Sequence, residues 1–233
     1  MHDSAVLDIL SHAGLSTWVT VGIMFLLSIG VWALLIQKSF GNRRKRKSIA
    51  DWEVAMGLRP TLQDIARAAK SMPNTAQGRV VQSALQEIEG LSQFVSYDSL
   101  EARGQLVQES IDRAVDAEKD LNERGLTYLA FCTATGPLIG LLGTVWGIMD
   151  TFFQIGKMGS ANITVVAPGV AQALMAVFSG LIVAIPASLE YNASVGFNRR
   201  AESALYNFGS EVVSAFKRGD LLALERAPRA PQA

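Results

Sequence analysis

The sequence predicts an all-α integral membrane protein, three transmembrane helices with long cytoplasmic helical extensions, and three observations predict it. The 233-residue chain is 49% hydrophobic yet has a formal net charge of zero. Its mean hydropathy is positive, and its charges are gathered into segments rather than scattered. Residues 15–37, 128–155 and 164–189 are each long and apolar enough for a bilayer that needs about 20 residues of helix.

Read in order, residues 1–14 form a short external segment whose charged side chains are Asp3 and Asp8. The first span, 15–37, is no cleavable signal: no basic residue precedes it, its apolar core is too long and a dense cationic run follows. That run, Lys38 and Arg43 to Lys47, places the N-terminus outside by the positive-inside rule. It reads as a topology determinant attracted to anionic membrane lipids, not as a nucleic-acid site. Three spans then send the C-terminal region, 190–233, inward, in agreement with Arg199, Arg200, Lys217, Arg218 and Arg226.

Residues 38–127 form a cytoplasmic region. Gly57, Pro60, Pro73, Gly78 and Gly90 punctuate it into short helices, without β-type alternation. Asp98 with Glu101 looks like a capping box. Leu100, Val107, Ile111, Ala114 and Leu121 then recur at roughly heptad spacing, and no proline intervenes before Pro137. One long helix running unbroken into the second span is expected, with a further helix around 197–218 beside it. Such stacked helices make either a vestibule or docking surface or a plain helical appendage, and the pattern does not choose.

The second and third spans carry the most specific pattern. Gly136, Gly140, Gly143 and Gly147 recur every three or four residues and strip one helix face, letting other helices approach closely in lipid. Thr144 sits among them, and a hydroxyl there suggests a polar path or gate more readily than a catalytic site. A short external turn, 156–163, forces the two spans into a hairpin. The Asn162-Ile163-Thr164 sequon carries no weight in so tight a turn. Asp150 lies about a turn and a half from the external end of the second span and could mark the mouth of a path, whereas Glu190 lies near the cytoplasmic end of the third.

Other chemistry is thin. Cys132 is the single cysteine, and His2 and His12 are the two histidines, so no metal site, cofactor or internal disulfide is expected. Glu53, Asp64, Glu87, Glu89 and later acids alternate with bases, as a solvated face does. No phosphate-binding loop, nucleophile elbow or paired catalytic carboxylate appears. The chain is not expected to be an enzyme, and an ion gradient is a better energy source for it than nucleotide hydrolysis.

The run Gly136 to Met149, the short turn, the run Val165 to Leu174 and Ala184-Ile185-Pro186-Ala187 closely resemble the inner-membrane TolQ/ExbB family, which includes gliding-motility homologues and is distantly related to MotA. Trp32-Ala33 followed by the basic run fits as well. The resemblance implies a homopentameric proton channel around two copies of a TolR/ExbD-like single-span partner, which supplies an intramembrane Asp. Proton flow would move that partner, with a TolA/TonB-like protein beyond it in some systems. Thr144, Gln172 and Ser179 are then the proton-path candidates, and Gly136, Pro137, Gly140, Gly143, Gly147, Gly169 and Gly180 pack helices at the pore.

The chain departs from the family at two places: Gln172 stands where Glu is usual, and Val177 where Thr is usual. Gln172 hydrogen-bonds without ionising. Ser179, two turns on and on nearly the same face, either replaces the lost hydroxyl or is a small residue bonded to its own backbone. The departures favour the alternative function, a non-conducting membrane scaffold.

Overall fold

The computed structural model describes residues 15–57, 60–92, 99–159 and 163–226. Among them every regular element is helical: α1 Leu15–Met56, α2 Leu62–Ser71, α3 Ala76–Ser92, α4 Leu100–Glu123, α5 Leu126–Met158 and α6 Ile163–Arg226. Three helical stretches are long and apolar enough to cross a membrane. The described chain divides into two compact units. The first takes the residues up to Ser39 with Gly125–Val195, and the second takes Phe40–Arg124 with the residues from Gly196 onward.

In the first unit α1, α5 and α6 share a small apolar centre of Met24, Val31, Leu129, Cys132, Val183 and Ala187. Gly30 leaves room for the Tyr128 ring, and the Tyr128 hydroxyl donates to the Leu27 carbonyl at 2.9 Å. Phe25, Leu26, Leu142, Phe152, Leu174 and Leu189 are exposed instead. Apolar surface on that scale is what a helix presents to lipid or to neighbouring subunits.

The second unit has a conventional water-soluble core. Trp52, Ile65, Val80, Val81, Val107, Ile111, Val115, Leu205 and Val212 are all buried in it. Trp52 meets Phe208 edge-on, with ring centres 5.1 Å apart, and its indole N–H donates to Thr75 Oγ1 at 2.8 Å. Helix α1 ends at Gly57, whose φ of 60° lies where glycine is the least strained residue. Helix α2 opens on a capping box that the sequence reading passed over: Thr61 Oγ1 accepts from the Asp64 N–H at 3.2 Å, and the Asp64 carboxylate accepts from the Thr61 N–H at 3.2 Å.

The Thr61 hydroxyl also donates to the Asp64 carboxylate at 2.7 Å, and this bond, followed by that from the Thr61 N–H, holds the Asp64 carboxyl below its usual 3.8. A depressed carboxylate contributes stability that is present above the unfolded value and lost as pH falls through the folded one. Thr61→Ala should therefore lower stability at neutral pH, as removal of an N-cap hydroxyl does. The gap to wild type should narrow below pH 3.8, as read by thermal unfolding in detergent.

The structure corrects several expectations. Helices α4 and α5 are not one rod: the backbone turns at Arg124-Gly125, where Gly125 has φ of 79°, and a Cβ at Gly125 would lie 2.7 Å from Leu34 Cδ2. The expectation rested on the absence of proline before Pro137, but the break falls at Gly125, where α1 approaches closely. The cap of α4 is Ser99, which accepts from the Ala102 N–H at 3.3 Å, while Asp98 lies outside the described residues. Gly78 and Gly90 fall inside α3 and do not end helices. Gly78 is instead a close-approach site, where a Cβ would strike the Met72 carbonyl.

Nor is there a separate helix after the third span, because α6 runs unbroken for 64 residues. On α4 Val107 and Ile111 are buried as expected, but Leu121 is 44% exposed. The face turned inward is Gly104, Val107, Ser110, Ile111, Val115, Glu118 and Asn122, set one residue round from the Ala114 and Leu121 positions. Glu118, expected on a solvated face, is buried and ion-paired with Arg79. His2, His12 and Asn162 lie outside the described residues.

Candidate functional site

Helix α5 places Gly136, Gly140, Gly143 and Gly147 on one buried face, continued by Thr151. The face that these glycines clear is filled by α6 of the same chain, running antiparallel. A Cβ at Gly136 would lie 3.2 Å from the Gly180 carbonyl oxygen, and one at Gly140 would lie 3.0 Å from Val177 Cα. Next along, a Cβ at Gly147 would lie 3.0 Å from Ala173 Cβ, and Gly169 abuts the Thr151 side chain. Backbone against backbone at this range maximises dispersion contact where no hydrophobic effect drives association. Val177 stands at the Gly140 crossing, so its backbone serves the helix contact.

Thr144 lies within that interface, half-buried. Its hydroxyl lies 3.1 Å from the Gly140 carbonyl on its own helix and 3.3 Å from the Ala173 carbonyl on α6. A single O–H proton shared between two carbonyls clasps the hairpin, and its oxygen lone pairs remain able to accept a bond from water or another chain. Gln172, partly buried, is the residue next to Ala173, so the two proton-path candidates lie at a similar height along the hairpin. Ser179 is satisfied locally, its hydroxyl donating to the Ala176 carbonyl at 2.7 Å. Asp150 is exposed and accepts from Gln154 Nε2 at 2.9 Å.

Pro137 is partly buried inside α5. It removes one backbone donor from the helix, so the Thr133 carbonyl loses its usual partner. Pro186 does the same within α6. In a bilayer such freed carbonyls are tolerated where neighbouring helices, hydroxyls or water re-satisfy them.

Three buried hydroxyls escaped the sequence reading. Thr17 and Thr20 on α1 and Thr151 on α5 are each at most 9% exposed. Thr20 faces the hairpin, since a Cβ at Gly143 would lie 2.9 Å from its methyl and 3.1 Å from its hydroxyl. Thr151 donates to the Gly147 carbonyl at 2.8 Å. The signal for Thr151 was present, because it continues the glycine repeat and falls two turns beyond Thr144. Nothing in the one-dimensional pattern of α1 shows which of its faces meets the hairpin. Among the described residues no cluster of metal-ligating side chains occurs.

Comparison with known proteins places this hairpin in context. The model of the MotA/TolQ/ExbB proton channel family matches residues 72–207, a stretch that runs from the turn before α3 well into α6. The chain is 29% identical over 209 residues to Tol-Pal system protein TolQ of Pseudomonas aeruginosa, covering 88% of this chain and 89% of that relative. It is 33% identical over 192 residues to biopolymer transport protein ExbB of Salmonella typhimurium, covering 82% and 77%. Against ExbB of Pseudomonas putida the identity is 32% over 195 residues, covering 82% of this chain but 57% of the longer relative. With three membrane-length apolar helices and these relatives, the chain is a multi-pass membrane protein of the proton-channel type, and it belongs to the MotA/TolQ/ExbB family.

Proposed function

We propose that this chain is the channel and stator subunit of an inner-membrane motor that uses the proton motive force. The observation that carries the reading is the Thr144 hydroxyl, held between the carbonyls of Gly140 and Ala173 at a similar height to Gln172. Neither side chain ionises in the physiological range. The titrating group of the path is then an intramembrane Asp on a TolR/ExbD-like single-span partner, two copies of which sit inside a homopentamer of this chain. Thr144 and Gln172 hydrate and orient that carboxylate as it gains and loses its proton. The N-terminus lies in the periplasm and the C-terminus in the cytoplasm, the arrangement that the basic run Arg43 to Lys47 favours. The work delivered is Tol-type envelope maintenance, Ton-type uptake through a TolA/TonB-like protein, or gliding.

A second reading, a non-conducting scaffold, draws on a specific observation: Thr144 and Ser179 both bond backbone carbonyls of their own chain, which is also what packing hydroxyls do. One experiment separates the two readings. The chain is co-reconstituted with its single-span partner in proteoliposomes, and proton uptake is followed with an internal pH dye. Thr144→Val and Gln172→Leu should each lower flux by about tenfold, the worth of one hydrogen bond to a charged group. Gln172→Glu should conduct with a shifted pH profile. Undiminished flux in Thr144→Val, or no partner-dependent flux in wild type, would leave the scaffold reading standing.

A further inference from the structure

In the second unit a cavity of about 210 Å³ opens beside α1, the start of α3, α4 and α6. Arg44 and Lys45 from α1 and Arg79 from α3 line it, against one carboxylate, Glu118. Both Glu118 oxygens are engaged by the Arg79 guanidinium, one through Nε and the other through Nη2 at 2.7 Å. That pair cancels internally, so the cavity keeps the charge of Arg44 and Lys45. Lys45 is held by Asn122 Oδ1, and burial pushes its ammonium below the usual lysine range even though Glu118 pulls the other way.

Two further features point inward. The cavity includes the N-terminus of α3, a helix of 17 residues. Thr75 Oγ1 caps the Gly78 N–H at 3.1 Å, whereas the N–H groups of Ala76 and Gln77 have no intrahelical acceptor. A helix start of this kind attracts negative charge. The Gln77 side chain is only 4% exposed and lines the cavity. Its Oε1 accepts from Ser48 at 3.4 Å, which leaves the amide N–H groups as the donors this side chain can offer a ligand in the cavity.

We propose that this cavity binds a phosphate group, held by Arg44 and Lys45, the first N–H groups of α3 and the Gln77 amide. The chemistry is shared by soluble phosphate and by the head group of an anionic lipid. The test therefore has two arms, both on the full-length oligomer in nanodiscs. In phosphatidylcholine discs, inorganic phosphate is titrated calorimetrically at constant ionic strength. In discs with and without phosphatidylglycerol, the thermal midpoint is read.

Arg44→Gln is the informative variant, because Arg44 makes no hydrogen bond to a described residue and its loss leaves the Lys45-Asn122 contact intact. Gln77→Leu is the second variant and Arg43→Gln the control. Expected is saturable phosphate binding weakened about tenfold in Arg44→Gln and unchanged in Arg43→Gln. If phosphate gives no heat but phosphatidylglycerol raises the midpoint of wild type and not of Arg44→Gln, the phosphate belongs to lipid. The proposal is overturned if neither ligand distinguishes wild type from Arg44→Gln. It is equally overturned if Arg43→Gln loses as much as Arg44→Gln, since the attraction then belongs to the basic run as a whole.

Discussion

Gly180→Ala is expected to push the α5-α6 hairpin apart, lowering its stability by about 1–3 kcal/mol, and Gly180→Leu to abolish recovery of folded protein. A Cβ at Gly180 would lie 2.5 Å from the Gly136 carbonyl oxygen, 3.2 Å from the Gly136 carbonyl carbon and 3.3 Å from Gly140 Cα. All three are backbone atoms of a regular helix, so no rotamer change relieves the clash and the helices themselves must separate. Separation forfeits the short-range dispersion contacts that hold helices together in lipid and lengthens the Thr144 to Ala173 bond, now 3.3 Å. Gly136→Ala should be milder, because its nearest neighbour would be 3.2 Å away. Gly156→Ala, with nothing within 4 Å, should be silent. Thermal unfolding and size-exclusion profiles in detergent would check the series. A wild-type midpoint for Gly180→Ala would show that the two spans do not pack backbone to backbone.

The second large effect is an asymmetry between the partners of a buried ion pair. Arg79 has 46% of its side chain exposed and Glu118 only 7%. Removing the carboxylate by Glu118→Gln leaves a guanidinium that can turn to water, so the cost should be under about 1 kcal/mol. Arg79→Ala strands a buried carboxylate, which costs several kcal/mol in a dry interior. Solvent access on the Arg79 side and the nearby Lys45 ammonium reduce that to about 2 kcal/mol.

The pH dependence follows from the Arg79 side. The Glu118 carboxylate raises Arg79 above its usual value. That stability is fully present below the unfolded value and lost only as pH rises through the folded one, far above neutrality. Unfolding midpoints of both variants at neutral pH provide the measurement. An Arg79→Ala midpoint no lower than that of Glu118→Gln would mean Glu118 finds another full-strength partner.

How much of this was legible beforehand differs between the two units. For the spans, the glycine spacing alone located the packing face, and the four glycines are buried in the expected register. Small residues at helical spacing leave no other use for that face in lipid, whatever lies opposite. The second unit was legible as helical but not in detail. Leu121 and Glu118 on α4 exchanged roles, because the inward face runs through Gly104, Ile111 and Glu118 and not through Leu100, Ala114 and Leu121. A carboxylate reads as solvated until its partner is known, and Arg79 is 39 residues away in sequence.

By itself the sequence determined the helical class, the number of membrane-length segments and the close-packed hairpin, because hydropathy, charge segregation and glycine spacing act through local periodicity. Only the tertiary structure decided three other matters: that the second span begins at a break at Gly125 under Leu34, that Thr20 and Thr151 are buried in the spans that also hold the half-buried Thr144, and that Arg44, Lys45 and Gln77 line one cavity. Each depends on which helix lies opposite. A buried polar group is stable only where a specific neighbour satisfies it, and sequence spacing does not encode that neighbour's identity.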